Sequence, residues 1–405
     1  MARRWIRIRL GKRPPPRCRR GEECGIARWT WNGWAMDIRY LYSALNRVHS
    51  VSTTSKASLL DHPDLLLRMR SGGSVPEVHP SLSKAVANLN WEAALEEDKD
   101  LESKGIRILS WADEEYPERL RSLPDPPPAL YVRGRLETLK PPAIAVVGSR
   151  LSTVYGLGVA RSLAGDLVRA GLCVVSGLAR GIDTAAHEGS LSVPGRALAV
   201  LGTGPDRVYP RENEGLHRRI LESGGAVLTE FPPGTPPHPR NFPQRNRVIA
   251  GLAWGVLVVE ATERSGSLIT ARFAAETGRE VFAIPHNLTS RTGIGPNSLI
   301  QRGAKLVLQV SDVVEELPEG IRAALKPETS ESDRASTPAD LSEEGRKVLA
   351  HLSPDSARSV DTLCAATGLP AAEVLARLFE LQMGGYCVEL PGMRYALKRA
   401  LREPT

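Results

Sequence analysis

Short apolar runs alternating with helical segments between residues 106 and 317 predict an α/β domain. Its core is a parallel sheet with helices on both faces, flanked by a small helical domain before it and a winged helix after it. Three observations carry this reading. The runs at 143–147, 197–201 and 255–259 show no polar alternation, so their residues are buried on both faces of a sheet. Between the runs, helical periods close at Gly171, Gly224 and Gly278, the residue type that ends helices. The last 65 residues carry three helical segments and a hairpin pattern.

The elements follow in order. Residues 37–45, 57–60 and 91–95 have apolar spacings of three and four, punctuated by Gly72-Gly73 and Pro76, which makes 36–105 a helical domain. Residues 107–109 and 129–132 read as short strands joined through the stiff Asp125-Pro-Pro-Pro128. Strands are expected at 143–147, 172–175, 197–201, 226–228, 255–259 and 281–284, with helices at 155–170, 184–191, 214–222 and 268–277. Residues 318–340 are polar and aperiodic, a linker. Helices at 341–350, 359–367 and 371–383 and strands at 386–390 and 394–397 complete a winged helix, its second and third helices joined through Gly368-Leu-Pro370.

The net charge of +7 invites a nucleic-acid partner, but its distribution does not place that partner on the folded body. Ten Lys and Arg against Glu22 and Glu23 give residues 1–35 a charge of +8, leaving −1 for the rest. That segment also holds four of the seven tryptophans. It reads as a solvated basic tail or as an upstream extension with Met36 as the native start. The other readings are a stacking arm for nucleic acid and a metal pair at Cys18 and Cys24. No secretory h-region and no run of about 18 apolar residues stands in the chain. Five scattered cysteines give no disulfide framework and point to a reducing cytoplasm.

The expected strands end in loops rich in Gly, Ser and Arg: Gly148-Ser149-Arg150, Ser176-Gly177 with Arg180, Gly202-Thr-Gly204 with Arg211, and Ser265-Gly266-Ser267 at a helix start. Glycine lets backbone amides approach a phosphate, and arginine adds forked donors. Ligands of such sheets bind at the carboxyl ends of the strands. The dinucleotide fingerprint is absent, since Gly156 and Gly158 follow Gly148 too late and no acidic residue ends the second strand; no P-loop exists either. Arg245-Asn246-Arg247 enters a helix with Pro243 expected at its first position. Two positions apart, the arginines diverge, so one contacts phosphate and the other pairs with Glu230 or Glu260. Asp183 and His187 sit four apart, either an acid–base or metal pair or a helix cap with a packed histidine.

These loops, in this order, resemble the DNA processing protein A (DprA/Smf) family. The matching stretches include Val147-Gly-Ser-Arg150, Ser176-Gly-Leu-Ala-Arg-Gly-Ile-Asp183, Phe242-Pro-Gln-Arg-Asn-Arg247, Val258-Val-Glu-Ala261 and Ser265-Gly-Ser-Leu-Ile-Thr-Ala271. The resemblance implies an extended Rossmann domain, and a SAM or helix-hairpin-helix type of helical domain before it. It further implies sequence-independent binding of single-stranded DNA, a homodimer through the Rossmann domain, and loading of the RecA recombinase during natural transformation and homologous recombination. It implies no catalysis, cofactor or metal. Arg150 is the first contact expected, then Arg245, Arg247 and Arg211, with phosphate-binding amides from Ser176-Gly177 and Ser265–Ser267. His286 and Thr229 depart from the family's usual glycine and serine, and residues 1–35 have no counterpart in it. The helix at 371–383 sets Arg377 against Glu373 and Glu380, which favours protein contacts over DNA. Two other classes compete: a nucleotide phosphoribohydrolase on a related fold, which needs a glutamate that residues 265–271 lack, and a sequence-specific regulator acting through the winged helix.

Overall fold

The computed structural model describes residues 28–31, 34–48, 51–73, 75–325, 342–353, 357–383, 386–390 and 392–397. Most of the basic tail, with Cys18 and Cys24, lies outside them. The last residues of the segment read as a solvated tail are paired: β1 (Arg28–Trp31) runs antiparallel to β2 (Trp34–Asp37), where Trp and Thr favour strand. The helical domain follows as α1 (Ile38–Asn46), α2 (Thr53–Ala57), α3 (Pro63–Arg70), α4 (Pro80–Ala87) and α5 (Trp91–Ser103). Pro63 and Pro80 begin their helices, where a missing N–H costs nothing.

The large sheet is built from β3 (Ile106–Ser110), α6 (Glu118–Arg121), β4 (Ala129–Gly134), β5 (Ala143–Val147), α7 (Val154–Arg169), β6 (Cys173–Ser176), α8 (Ile182–Ser190), β7 (Ala197–Val200), α9 (Glu214–Glu222), β8 (Ala226–Thr229), α10 (Asn241–Leu252), β9 (Gly255–Val258), α11 (Gly266–Glu276), β10 (Glu280–Ala283), α12 (Ile294–Gln301), β11 (Lys305–Leu306) and α13 (Val310–Val314). Its nine strands run in the order β11-β10-β9-β5-β6-β7-β8-β4-β3. Seven are parallel; β4 and β3 join the β8 edge antiparallel. That departs from a purely parallel sheet. The whole of Ala129–Val132 is buried, because Ala129 and Tyr131 face the helical domain and Leu130 and Val132 face the core under α10.

Alternate residues of each central strand serve opposite cores. Ala143, Ala145 and Val147 pack under α10 and α11, with Val248, Ile249 and Ala271; Ile144 and Val146 pack under α7 and α8, with Leu163, Leu167 and Ala186. The helical domain packs on the far end of the sheet through Ile106, Ile108, Ala129 and Tyr131. The Tyr131 hydroxyl bonds Ser43 at 2.8 Å, and Asn46 Nδ2 donates to the Ala129 carbonyl at 2.8 Å.

The expected linker from 318 is corrected at its start. Pro318 caps α14 (Glu319–Ala324), and Ile321 and Leu325 pack on the core under α7, so the chain stays docked past 318. Residues 326–341 lie outside the described ones. The winged helix comprises α15 (Glu343–Ala350), β12 (Arg358–Ser359), α16 (Val360–Thr367), α17 (Ala371–Met383), β13 (Cys387–Leu390) and β14 (Arg394–Leu397), around its own core of Val348, Leu363, Val374, Leu378 and Leu381. Gly368, in the left-handed region at φ 74°, turns α16 into α17. Among the described residues no single helix is long and apolar enough to cross a membrane.

Helices α7 and α8 cross closely because Gly189 has no side chain: a Cβ there would run into the Arg161 carbonyl. Gly189→Ala is therefore expected to lower stability by about 1–3 kcal/mol, as overpacking does. Urea unfolding checks this, and an unchanged midpoint would mean the helices separate freely.

Candidate nucleic-acid interface

The loops at the carboxyl ends of β6 and β7 are held open for α10. At the end of β6 a Cβ on Gly177 would come 2.6 Å from the Arg245 guanidinium; at the end of β7 a Cβ on Gly202 would come 2.9 Å from the Phe242 ring. With no side chain on either glycine, Phe242 and Arg245, three apart on α10, both lie over the strand ends. Arg245 is 4% exposed. It donates to the Gly177 carbonyl at 2.6 Å and to the Val200 carbonyl, and its Nε reaches Asn246 Oδ1 at 3.2 Å. Burial pushes its guanidinium down to about 10, against the pull of the Asp183 carboxylate and with the repulsion of Arg150.

The loop after β6 is fixed by side chains. Asp183 Oδ2 accepts from the amides of Gly177 at 3.1 Å and Ala179 at 3.4 Å. Asn213 Nδ2 donates to the Leu178 carbonyl at 2.9 Å, holding Leu178 at φ 54°, a conformation rare outside glycine. Burial raises the Asp183 carboxyl and Arg245 opposes it. Asp183 thus ties the loop amides rather than capping the first turn of α8. His187 is fully buried, which drives its imidazole down to about 3 and leaves it neutral.

Arg150, Gly177, Ala179, Arg180, Gly202, Tyr209, Pro210, Phe242 and Arg245 line one concave pocket at this edge. The Arg150 guanidinium stands 5.0 Å from the Phe242 ring centre, and the Tyr209 and Phe242 rings lie 5.6 Å apart, tilted by 41°. Tyr209 is 40% exposed. Cation, aromatic pair and buried arginine therefore face one opening. Neither Phe242, which stands in the matching stretch 242–247, nor Tyr209 is among the expected contacts; an aromatic beside Arg at a strand end is the signal that singles them out.

Not every expected residue reaches this pocket. Gly148 lets the first loop pack on Ile182. The Ser149 hydroxyl turns back to Leu151, and Ser176 donates to the Val146 carbonyl at 2.7 Å. Arg180 lines the pocket but is ion-paired with Glu212 on the surface. Arg211 is exposed beside Pro210. The Gly177 amide expected for phosphate is already given to Asp183. At the start of α11, the Ser265 hydroxyl accepts the Ser267 amide as a cap, and Asn246 Nδ2 donates to the Gly266 carbonyl at 3.2 Å. Pro243 is the third residue of α10 rather than the first, because the helix starts at Asn241.

Arg247 diverges from Arg245, as the spacing requires. It is 3% exposed, pairs with Glu230, and donates to the Asp125 carbonyl at 2.6 Å. Lys56 of α2 joins this cluster; burial lowers its ammonium to about 8, with Glu230 opposing that and Arg247 adding to it. The cluster joins the helical domain to α10, since Thr53 also donates to Asp125. Arg247, expected as a DNA contact, is held here in a buried ion pair.

With the geometry in view, the comparisons with known proteins divide along the same domains. A model of the family described as DNA recombination-mediator protein A matches residues 107–318, and a DprA winged helix domain matches 332–393. The chain belongs to this family. It is 40% identical to Protein Smf of Escherichia coli over 301 residues, 74% of this chain and 80% of that one. It is 43% identical to the DNA processing protein DprA of Bacillus subtilis over 217 residues, 53% of this chain and 73% of that one. The X-ray structure of DprA from Streptococcus pneumoniae matches with a TM-score of 0.60 at 36% identity, covering 69% of this chain and 98% of that one. The membership makes this chain a DNA-processing protein.

Two outcomes follow from the buried charges. Arg247→Ala strands Glu230 and is expected to cost about 3–5 kcal/mol in urea unfolding, with any loss of ligand binding tracking the unfolded fraction. For His187 the folded imidazole titrates near 3 and the unfolded one near 6.5, so the unfolded state binds the extra proton between them. Stability falls as pH drops through that window, by about 1.4 kcal/mol per unit from this residue. Replacing it by Leu should flatten the slope of unfolding free energy between pH 6 and roughly pH 4; an unaltered slope would show that the imidazole is not buried neutral.

Proposed function

We propose that this chain binds single-stranded DNA without sequence preference in the pocket over β6 and β7. The observation that carries the reading is the Arg150 guanidinium standing 5.0 Å from the Phe242 ring, beside Tyr209, at the mouth of an arginine-floored pocket. An aromatic face stacks on any base, and a guanidinium pairs with any phosphate, so this set selects for nucleic acid and not for sequence. Bases inside a duplex are covered on both faces and cannot stack on Phe242, which favours a single strand. The contact set reduces to Arg150, Phe242, Tyr209 and Arg245, with Arg180 and Arg211 at the rim. Gly148, Ser149, Ser176, Gly177, Asn246 and Ser265–Ser267 support the loops, and Arg247 supports α10.

Family membership supports a further role: the bound strand is handed to RecA in recombination and transformation, by a cytoplasmic homodimer paired through the large α/β domain. Exposed Leu306 and Leu308 at the β11 edge suit such pairing. Arg377 is ion-paired with Glu380 on α17, which directs the winged helix to protein contacts rather than DNA. Unchanged RecA nucleation on single strands in its presence would remove the mediator role. No catalysis is part of this reading. A phosphoribohydrolase would need a carboxylate near Ser265, whereas Glu276 at the far end of α11 lies beside Arg272 on the surface; release of free base from nucleoside monophosphates would revive it.

Fluorescence anisotropy with oligo-dT, mixed-sequence and duplex oligonucleotides across salt tests the binding. Single strands should bind tightest and lose affinity as salt rises. Arg150→Ala should weaken all single strands alike and reduce the salt slope by about 1. Phe242→Ala should cost about 1–3 kcal/mol, the value of one stacked base. Equal affinity for duplex, or a wild-type Phe242→Ala variant in every assay, sinks the reading.

A further inference from the structure

The pocket does not lie where an open α/β sheet usually offers its crevice. That crevice forms where the strand order reverses, between the carboxyl ends of the two strands at the switch. Here the chain runs outward from β5 through β6, β7 and β8, then returns to place β9 on the other edge of β5. The switch point is therefore between β5 and β9, while the pocket sits over β6 and β7.

Glu260, two residues past the end of β9, fills the switch point. It is 0% exposed. One carboxylate oxygen accepts from the Thr153 amide at 2.9 Å; the other accepts from the Thr153 hydroxyl at 2.5 Å and the Thr292 hydroxyl at 3.1 Å. Thr153 is the N-cap of the 16-residue α7, and its hydroxyl in turn accepts the Gly156 amide at 3.0 Å. The Glu260 carbonyl takes the Ser149 amide at 2.7 Å. A Cβ on Gly156 would overlap the carboxyl group, and a Cβ on Gly148 would come 2.9 Å from the Glu260 carbonyl.

A helix-start amide, two hydroxyls and glycine backbone at close approach are what such sheets present to a phosphate. Here the anion that takes them is part of the chain. We propose that Glu260 is a built-in stand-in for a phosphate and is the residue that bars free nucleoside phosphates from the switch point. A phosphate entering there would lose its donors to Glu260 and meet a like charge. The assignment rests on the donors around Glu260 and is independent of whether a strand occupies the neighbouring pocket.

The test uses the full chain as wild type, Glu260→Ala and Glu260→Gln. Each is titrated with orthophosphate and with AMP at constant ionic strength, read by thermal unfolding and calorimetry, with oligo-dT binding measured in parallel. Emptying the crevice should let both phosphates raise the Tm of Glu260→Ala by more than they raise that of the wild type. Glu260→Gln keeps the crevice filled and should respond like the wild type. A folded Glu260→Ala with no added response, or a wild type that responds equally, overturns the proposal. Loss of oligo-dT binding by the wild type would instead overturn the strand reading alone.

A second readout needs no alanine at 260. Gly156→Ala should lower the Tm of the wild type, and lower it less in a Glu260→Asp background, whose shorter side chain withdraws from Gly156. Equal losses in both backgrounds would place the carboxylate elsewhere and overturn the proposal.

Discussion

The buried guanidinium of Arg245 is the constraint on which the carboxyl edge of this sheet depends. A buried cation left without partners costs several kcal/mol, so the surroundings must be built around it. Two strand-end carbonyls, Gly177 and Val200, accept from it, and the Asp183 carboxylate counters its charge. Those contacts dictate the glycines: any side chain at 177 would occupy the guanidinium's place. They also dictate where Phe242 goes. One helical turn ahead on α10, it shares the face of Arg245 and closes over Gly202. A structural cation thus fixes the aromatic ring that Arg150 stands against.

The same helix carries a second arginine to the opposite duty. Arg247 points away from the pocket and anchors α10 to Glu230 and Asp125, with Lys56 of the helical domain alongside. The helical domain therefore bears on the interface through the seat of α10, without lining it. Around the pocket little is left to adjust. Asp183 and Asn213 hold the loop after β6, and Leu178 keeps a left-handed backbone that only such clamping sustains. A surface organised before its ligand arrives gives up less ordering entropy on binding.

How far the sequence foretold this follows from what each signal encodes. Unbroken apolar runs such as Ala143–Val147 report burial on both faces, so the core strands and their layering were legible. The antiparallel addition of β3 and β4 was not, because Ala129–Val132 is as unbroken an apolar run as the parallel strands and lacks the polar alternation that usually marks an antiparallel one. The short helix at Glu319–Ala324 was hidden by its length: one and a half turns give Ile321 and Leu325 no repeat to be seen in. At the pocket, glycine and arginine at the strand ends marked the right edge, and spacing alone separated Arg245 from Arg247. What spacing does not report is satisfaction. The Gly177 amide read as open to phosphate, yet Asp183, six residues on, already holds it. Phe242 went unremarked because its role exists only once α10 is laid across Gly202.

The switch point and the pocket are neighbours with opposite electrostatics, and this decides where an anion can settle. At the junction of β5 and β9 the chain supplies its own carboxylate, and the Thr153 amide and hydroxyl at the start of α7, with the Thr292 hydroxyl, are given to Glu260. One strand over, the chain supplies cations instead: Arg245 beneath and Arg150 above, with no carboxylate among the pocket's lining residues. Both features lie in the folded body, whose net charge is close to zero, so neither could be inferred from the basic tail that dominates the chain's charge. On the two proposals together, an anionic ligand is turned from the filled switch point toward the aromatic-walled pocket. A free nucleotide brings only one base and its own few phosphates to such a pocket. A polymer gains more, because a base can stack on Phe242 while its backbone continues past Arg150, and each further phosphate releases counterions of its own.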